Sequence, residues 1–189
     1  MNQLYDMHCH MGFAPSPIAT AQEGAAAGIG AFSCTVAPDE YERLLPILAD
    51  APNVALGLGA HPWWIADGRV GEVELDRFCE LARATRFIEI GLDFAGPRDT
   101  EESRVRQTGA FARILAACDQ PVAPSAAGDL ASKLISIHAV NAAATALNLL
   151  EAAGTLARHQ VIFHWFSGAS DDLHRAIKLG CFFSVGPRM

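Results

Sequence analysis

The sequence predicts an α/β fold, a parallel (β/α) barrel that is incomplete on its C-terminal side. Two observations carry that reading. Short runs rich in Val, Ile, Phe and Leu alternate with longer stretches of helical periodicity, the pattern of buried parallel strands joined by crossover helices. In addition, His8, His10, His61, His138 and His164 all fall at or near the carboxyl ends of those runs, where site residues of parallel barrels collect.

The strands are expected over Leu4–His8, Gly30–Val36, Val54–Ala60, Phe87–Leu92, Leu134–His138, Val161–His164 and Cys181–Val185. Between them run helical stripes spaced i, i+3, i+4, i+7: Leu75, Phe78, Cys79 and Ala82; Phe111, Ile114, Leu115 and Cys118; Leu173, Ala176, Ile177 and Gly180. Such stripes pack a helix on a sheet and say nothing of cofactors. Ser170 or Asp171 is the expected N-cap of the last helix, and Gly180 its stop. Strands alternating with helices imply right-handed βαβ units. Seven strands and six intervening helices leave the barrel one strand short of the eight that closure needs. Residues 1–189 read as one domain, with Gln120–Ser132 (two Pro, one Gly, several Ala) as its mobile excursion. The open edges of such a barrel invite self-association.

Composition narrows the function. No apolar run approaches the ~18 residues of a membrane span, and the N-terminus lacks the layout of a secretion signal, so a cytoplasmic location is expected. Cys9, Cys34, Cys79, Cys118 and Cys181 form no CxxC pair and read as small buried hydrophobes. A formal net charge of −7 argues against wide, non-specific coating of nucleic acid. It leaves a nuclease open, because bound metal ions bring positive charge to the site itself.

The strongest chemical signal is Asp6-Met7-His8-Cys9-His10. Alternation along a strand puts His8 and His10 on one side, where two imidazoles can grip one ion. Asp6 shares that face and is placed to orient a ligand histidine. Glu89, between Ile88 and Ile90 on a strand that should be buried, needs a cation, a metal or a proton. His159 and His174 fall near helix ends and read as surface residues.

The ordered series Asp6-Met7-His8-Cys9-His10, Gly59-Ala60-His61-Pro62, Glu89-Ile90-Gly91-Leu92-Asp93, Ile137-His138 and Phe163-His164-Trp165-Phe166-Ser167-Gly168 resembles the TatD family of metal-dependent hydrolases, many of them deoxyribonucleases. The likeness runs from about residue 4 to residue 187. It implies a TIM-like barrel of the amidohydrolase kind with two divalent ions (Zn, Mn or Mg). His8 and His10 would hold the first, His138 and His164 the second, with Glu89 bridging both. His61 and the Ser167-Gly168 turn would meet the substrate phosphate, and DNA or another phosphodiester would be a transient partner.

Two departures from the family pattern stand out. Ala139-Val140-Asn141-Ala142 follows His138, where the family usually has an Arg. The family's aspartate at the end of an eighth strand, a ligand of the first metal that helps activate water, has no counterpart before Met189. Asp93, on the same strand face as Glu89, is the candidate replacement and, with Glu89, the candidate catalytic carboxylate. Without the eighth strand, hydrolysis is expected to be slow beside a full-length relative. Three functions compete: a two-metal phosphodiesterase, a hydrolase of esters or amides in the same superfamily, and an inactive barrel kept for binding. The second class often bridges its metals with a modified lysine, and the only lysines, Lys133 and Lys178, lie outside the expected pocket.

Overall fold

A computed structural model describes residues 4–120 and 132–186. Its seven strands are β1 (Leu4–Cys9), β2 (Ile29–Cys34), β3 (Val54–Gly59), β4 (Phe87–Asp93), β5 (Leu134–Val140), β6 (Gln160–His164) and β7 (Phe182–Phe183). They pair in sequence order, and every neighbouring pair is parallel. The helices are α1 (Pro17–Ala26), α2 (Pro38–Ile47), α3 (Pro62–Ala66), α4 (Glu72–Ala82), α5 (Glu101–Cys118), α6 (Ala143–Ala152) and α7 (Ser170–Lys178). The expected six helices become seven because the β3–β4 connection holds two. The first of them, α3, has five residues, too few to show a helical period.

The sheet is strongly curled. β1 and β6 are five strand steps apart, roughly 24 Å in a flat sheet at the usual spacing. Yet the rings of His8 on β1 and His164 on β6 stack with centroids 3.6 Å apart. That places the two ends of the sheet face to face, as in a TIM-like barrel. Among the described residues β1 and β7 do not pair. β7 has ladder bonds on one side only, which accounts for its shrinking from the expected five residues to two.

The pleat sorts side chains between two environments. On β4, Ile88, Ile90 and Leu92 join the main core with Phe78 of α4 and Phe111, Ile114 and Leu115 of α5. Glu89, Gly91 and Asp93 take the opposite, inner face. At some positions of this face the wall leaves no room for a side chain. A Cβ on Gly59 would stand 1.5 Å from the Thr35 carbonyl oxygen, and one on Gly57 2.5 Å from the Phe32 ring. A second apolar cluster (Met11, Ala21, Ala31, Leu44, Leu48, Ala51) packs α1 and α2 against β2.

Helix ends follow local chemistry with some corrections. Thr100 caps α5, its Oγ1 accepting the Ser103 N–H at 3.2 Å. We expect Thr100→Ala to lower the unfolding free energy by about 1 kcal/mol. The check is urea denaturation; a midpoint unchanged within error would show that the bond contributes nothing. The cap of α7 is Ala169, without a side-chain bond, rather than Ser170 or Asp171. Gly180, at φ +79°, does follow the helix end. The α7 stripe is only partly covered: Ala176 is buried but Ile177 is 55% exposed, since the sheet beneath it is down to the two residues of β7. The expected mobile excursion Gln120–Ser132 falls almost wholly outside the described residues. No described helix is long and apolar enough to cross a membrane.

Two readings of polar residues need correction. His159 is buried, not a surface residue. Its Nδ1 accepts the Lys133 N–H at 3.2 Å and its Nε2–H donates to Asp119 at 3.1 Å. Cys9 and Cys79 are only half-buried, while Cys34, Cys118 and Cys181 are buried.

Candidate metal centre

The carboxyl ends of β1, β3, β5 and β6 bring His8, His10, His61, His138 and His164 into one contiguous group. Ring centroids lie 4.8 Å apart for His8–His10, 6.3 Å for His10–His61, 4.9 Å for His61–His138 and 5.3 Å for His138–His164. Simple alternation is not what joins His8 and His10. The β1–β2 register shifts between Asp6 and Cys9, and His10 lies past the strand end. Asp6 does not orient an imidazole: its Oδ1 accepts the backbone N–H of His8 at 3.1 Å.

Hydrogen bonds define which ring nitrogens are available. His10 Nδ1–H donates to the Cys34 carbonyl at 2.9 Å, which leaves the Nε2 lone pair free. His8 Nδ1 lies 3.3 Å from Cys34 Sγ. His138 Nε2–H donates to Asp93 Oδ2 at 3.1 Å. The remaining His138 lone pair, on Nδ1, faces His164 Nε2 at 3.3 Å, and His164 Nδ1 lies 2.8 Å from Ser136 Oγ; with its proton on Nδ1, donated to that hydroxyl, His164 presents the Nε2 lone pair. His138 Nδ1 and His164 Nε2 therefore face a common point, each ring held from behind by a carboxylate or a hydroxyl, the arrangement that sets ligand histidines.

Burial keeps His8, His10, His61 and His164 neutral. It pushes His8 and His61 down to about 3, with the neighbouring histidines adding to the effect. It also holds His164 well below, and His10 below, the usual histidine range. A neutral imidazole can donate a lone pair to a cation without first losing a proton.

Glu89 is fully buried, and neither carboxylate oxygen has a hydrogen-bond partner among the described residues. Burial, reinforced by the charge of Glu40, raises it to about 8. A buried carboxylate left in this state is unfavourable unless a proton or a cation neutralises it. Asp93 is its opposite. Burial alone would raise it, but bonds from His138, the Trp63 indole and the Ala95 N–H outweigh burial and hold it below the ordinary range. With both oxygens engaged, Asp93 holds His138 and the Trp63 indole in place.

The other candidates are placed as follows. His61 caps α3 through Nδ1, which accepts the Trp63 N–H at 3.3 Å. Ser167 Oγ donates to the Ala139 carbonyl at 3.1 Å, next to His138. A Cβ on Gly168 would meet Phe166 at 2.6 Å and Ala143 at 2.7 Å, so this turn is closely packed. A cleft of about 600 Å³ between β1 and β7 reaches His8 and His164 from the side.

Sequence reasoning passed over Ser136, Cys34, Trp63 and Glu40. Ser136 was within reach, since it sits two residues before His138 on the same strand face. Glu40 occupies the third position of α2, its Oε2 accepting the Val36 N–H at 2.7 Å, a pattern that from sequence alone signals only a helix start.

This chain matches the family described as TatD related DNase over residues 5–189. The chain belongs to the TatD family. Its fold is similar to that of YjjV, a TatD homologue from Escherichia coli K12, with a TM-score of 0.73 and 19% identity, covering 96% of this chain and 67% of that one. No curated protein matches it. TatD members are metal-dependent hydrolases, so the fit of this chain's residues to metal can be tested directly. Among the described residues no group of three or more His, Cys, Asp or Glu already stands in a metal-holding geometry. The rings instead satisfy one another through the His138–His164 contact and the His8–His164 stack. The donor types nonetheless suit a divalent ion: imidazoles with a ring nitrogen free to ligate and, on the inner face of the same sheet, a buried carboxylate without partners.

Proposed function

We propose that this TatD chain is a two-metal phosphodiesterase, a deoxyribonuclease. His8 and His10 would hold one divalent ion and His138 and His164 another, with Glu89 as the carboxylate that would serve both. The observation that carries this reading is Glu89, buried with both oxygens free of partners. When bound, Zn, Mn or Mg would neutralise the phosphate and make hydroxide available at neutral pH. The chain's own groups do the rest. Cys34 and Ser136 aim His10 and His164, Asp93 orients His138 and stays ionised, and His61 with the Ser167–Gly168 turn faces the substrate phosphate. A lysine-bridged ester or amide hydrolase is disfavoured, because Lys133 Nζ donates to the Ala82 and Thr85 carbonyls, each at 2.8 Å.

The test is to strip the protein with chelator, then follow cleavage of a single-stranded oligodeoxynucleotide and of bis(p-nitrophenyl) phosphate while Mn, Zn or Mg is returned. Turnover should vanish with chelation and reappear with metal. Turnover indifferent to chelation, or activity confined to esters and amides, would rule the proposal out.

A further inference from the structure

Arg98 ends the short 3-10 turn Gly96–Arg98 that follows β4, on the same rim of the barrel as Asp93. Its guanidinium lies over the Trp63 ring, 4.1 Å from the centroid. The same indole donates Nε1–H to Asp93 Oδ2 and stands edge-on to His61 at 5.3 Å. Arg98 is therefore one indole away from the carboxylate that holds His138.

Among the described residues three arginines lie over aromatic rings, and two of them are neutralised. Arg69 over Trp64 pairs with Asp67, and Arg104 over Phe94 pairs with Asp99. The Arg98 side chain has no carboxylate partner and no hydrogen bond among the described residues, and its Nε is buried without an acceptor. A buried N–H without an acceptor is unfavourable, and a guanidinium is a rigid fork of five donors matched to phosphate oxygens. Stacking on Trp63 fixes that fork without cancelling its charge. The loop after β5 (Asn141–Ala142) brings no cation to this rim.

We propose that Arg98, displayed on Trp63, binds a phosphate flanking the scissile one, so that the site selects oligonucleotides over isolated phosphodiesters. The indole's width between Arg98 and Asp93 separates the guanidinium from the reacting phosphate, which is why the flanking group is its ligand. This inference rests on the phosphodiesterase reading above.

The experiment uses the full chain stripped of metal, so that binding is read without turnover. A fluorescein-labelled single-stranded decadeoxynucleotide is titrated by anisotropy at several salt concentrations. Arg98→Gln should weaken binding about tenfold, and the slope of log Kd against log salt should fall by about 0.7, the loss of one phosphate contact to a single strand. Arg98→Lys, which keeps the charge, should keep the slope and recover part of the affinity. Arg69→Gln, which removes the other indole-stacked arginine, should change neither. With metal returned, Arg98→Gln should lower kcat/KM for the oligonucleotide about tenfold through KM and leave bis(p-nitrophenyl) phosphate unaffected. Equal affinity and slope for Arg98→Gln and the unaltered protein would overturn the inference. So would an equal loss on the nitrophenyl diester, or no oligonucleotide binding by the unaltered protein. If binding behaves as expected but no metal-dependent cleavage occurs, the phosphodiesterase reading fails while the Arg98 contact stands.

Discussion

Glu89→Gln should abolish metal-dependent turnover while making the metal-free protein more stable at alkaline pH. The loss in kcat/KM is expected at roughly 10³-fold or more, because in the proposed site one side chain would serve both ions and its amide replacement carries no charge. The stability effect has the opposite sign. Folding raises Glu89 from 4.5 to about 8. Between those values the folded state holds a proton that the unfolded chain has released. The stability associated with the neutral carboxyl is complete below pH 4.5 and is lost as pH rises through 8. Gln cannot ionise, so its profile lacks that fall. The lowered histidines act in a different window: their contribution is whole above the unfolded value of 6.5 and is lost as pH falls toward about 3 for His8 and His61. Melting curves of chelated protein between pH 6.5 and 8.5 therefore isolate Glu89, and Gln should gain a few kcal/mol over the parent at the upper end. Added metal should raise the melting temperature of the parent but barely move that of Glu89→Gln. Parallel pH profiles, or equal stabilisation of both proteins by metal, would remove Glu89 from the centre of the site.

Gly91→Ala should damage fold and site together. Gly91 is the register partner of His138, and a Cβ there would stand 2.2 Å from the His138 carbonyl oxygen and 2.7 Å from its Cα. These are backbone atoms within a parallel ladder, so no flexible side chain can give way. Relief requires β4 and β5 to separate, with an expected destabilisation of about 3 kcal/mol. His138 would shift with its strand, and metal affinity should drop by roughly 10- to 100-fold even in the folded fraction. Gly109→Ala is the matched control. Gly109 lies inside α5, where a Cβ meets nothing within 4 Å, and Ala there should stabilise by about 0.5–1 kcal/mol. Guanidinium denaturation of the three proteins, together with metal titration, measures both effects. A Gly91→Ala protein with the parent's midpoint would mean that the close approach of the two strands carries no energetic weight.

Much of this architecture was legible because the two periodicities are local. Ile88, Ile90 and Leu92 against Glu89, Gly91 and Asp93 is a period of two that no distant contact needs to supply. The α5 stripe of Phe111, Ile114, Leu115 and Cys118 is equally self-announcing, and all four residues are buried. The failures also have physical causes. The helix α3 is too short to repeat. β7 depends on a neighbour for its length. His159 looks like any histidine near a helix end until Asp119, some forty residues earlier, is brought to its ring.

What the sequence determined alone is an alternating strand–helix chain with histidines at strand ends and a carboxylate on a strand that must be buried. That much follows from side-chain chemistry and spacing along a few residues. Only the tertiary structure decided that His8 stacks on His164, that Asp93 bonds His138 and Trp63, and that Arg98 remains unpaired over Trp63. Those facts depend on the curl of the whole sheet, in which small rotations between successive strands accumulate until β1 meets β6. No window of sequence contains that accumulated angle, and a cation's partners are fixed only once every nearby carboxylate has its place.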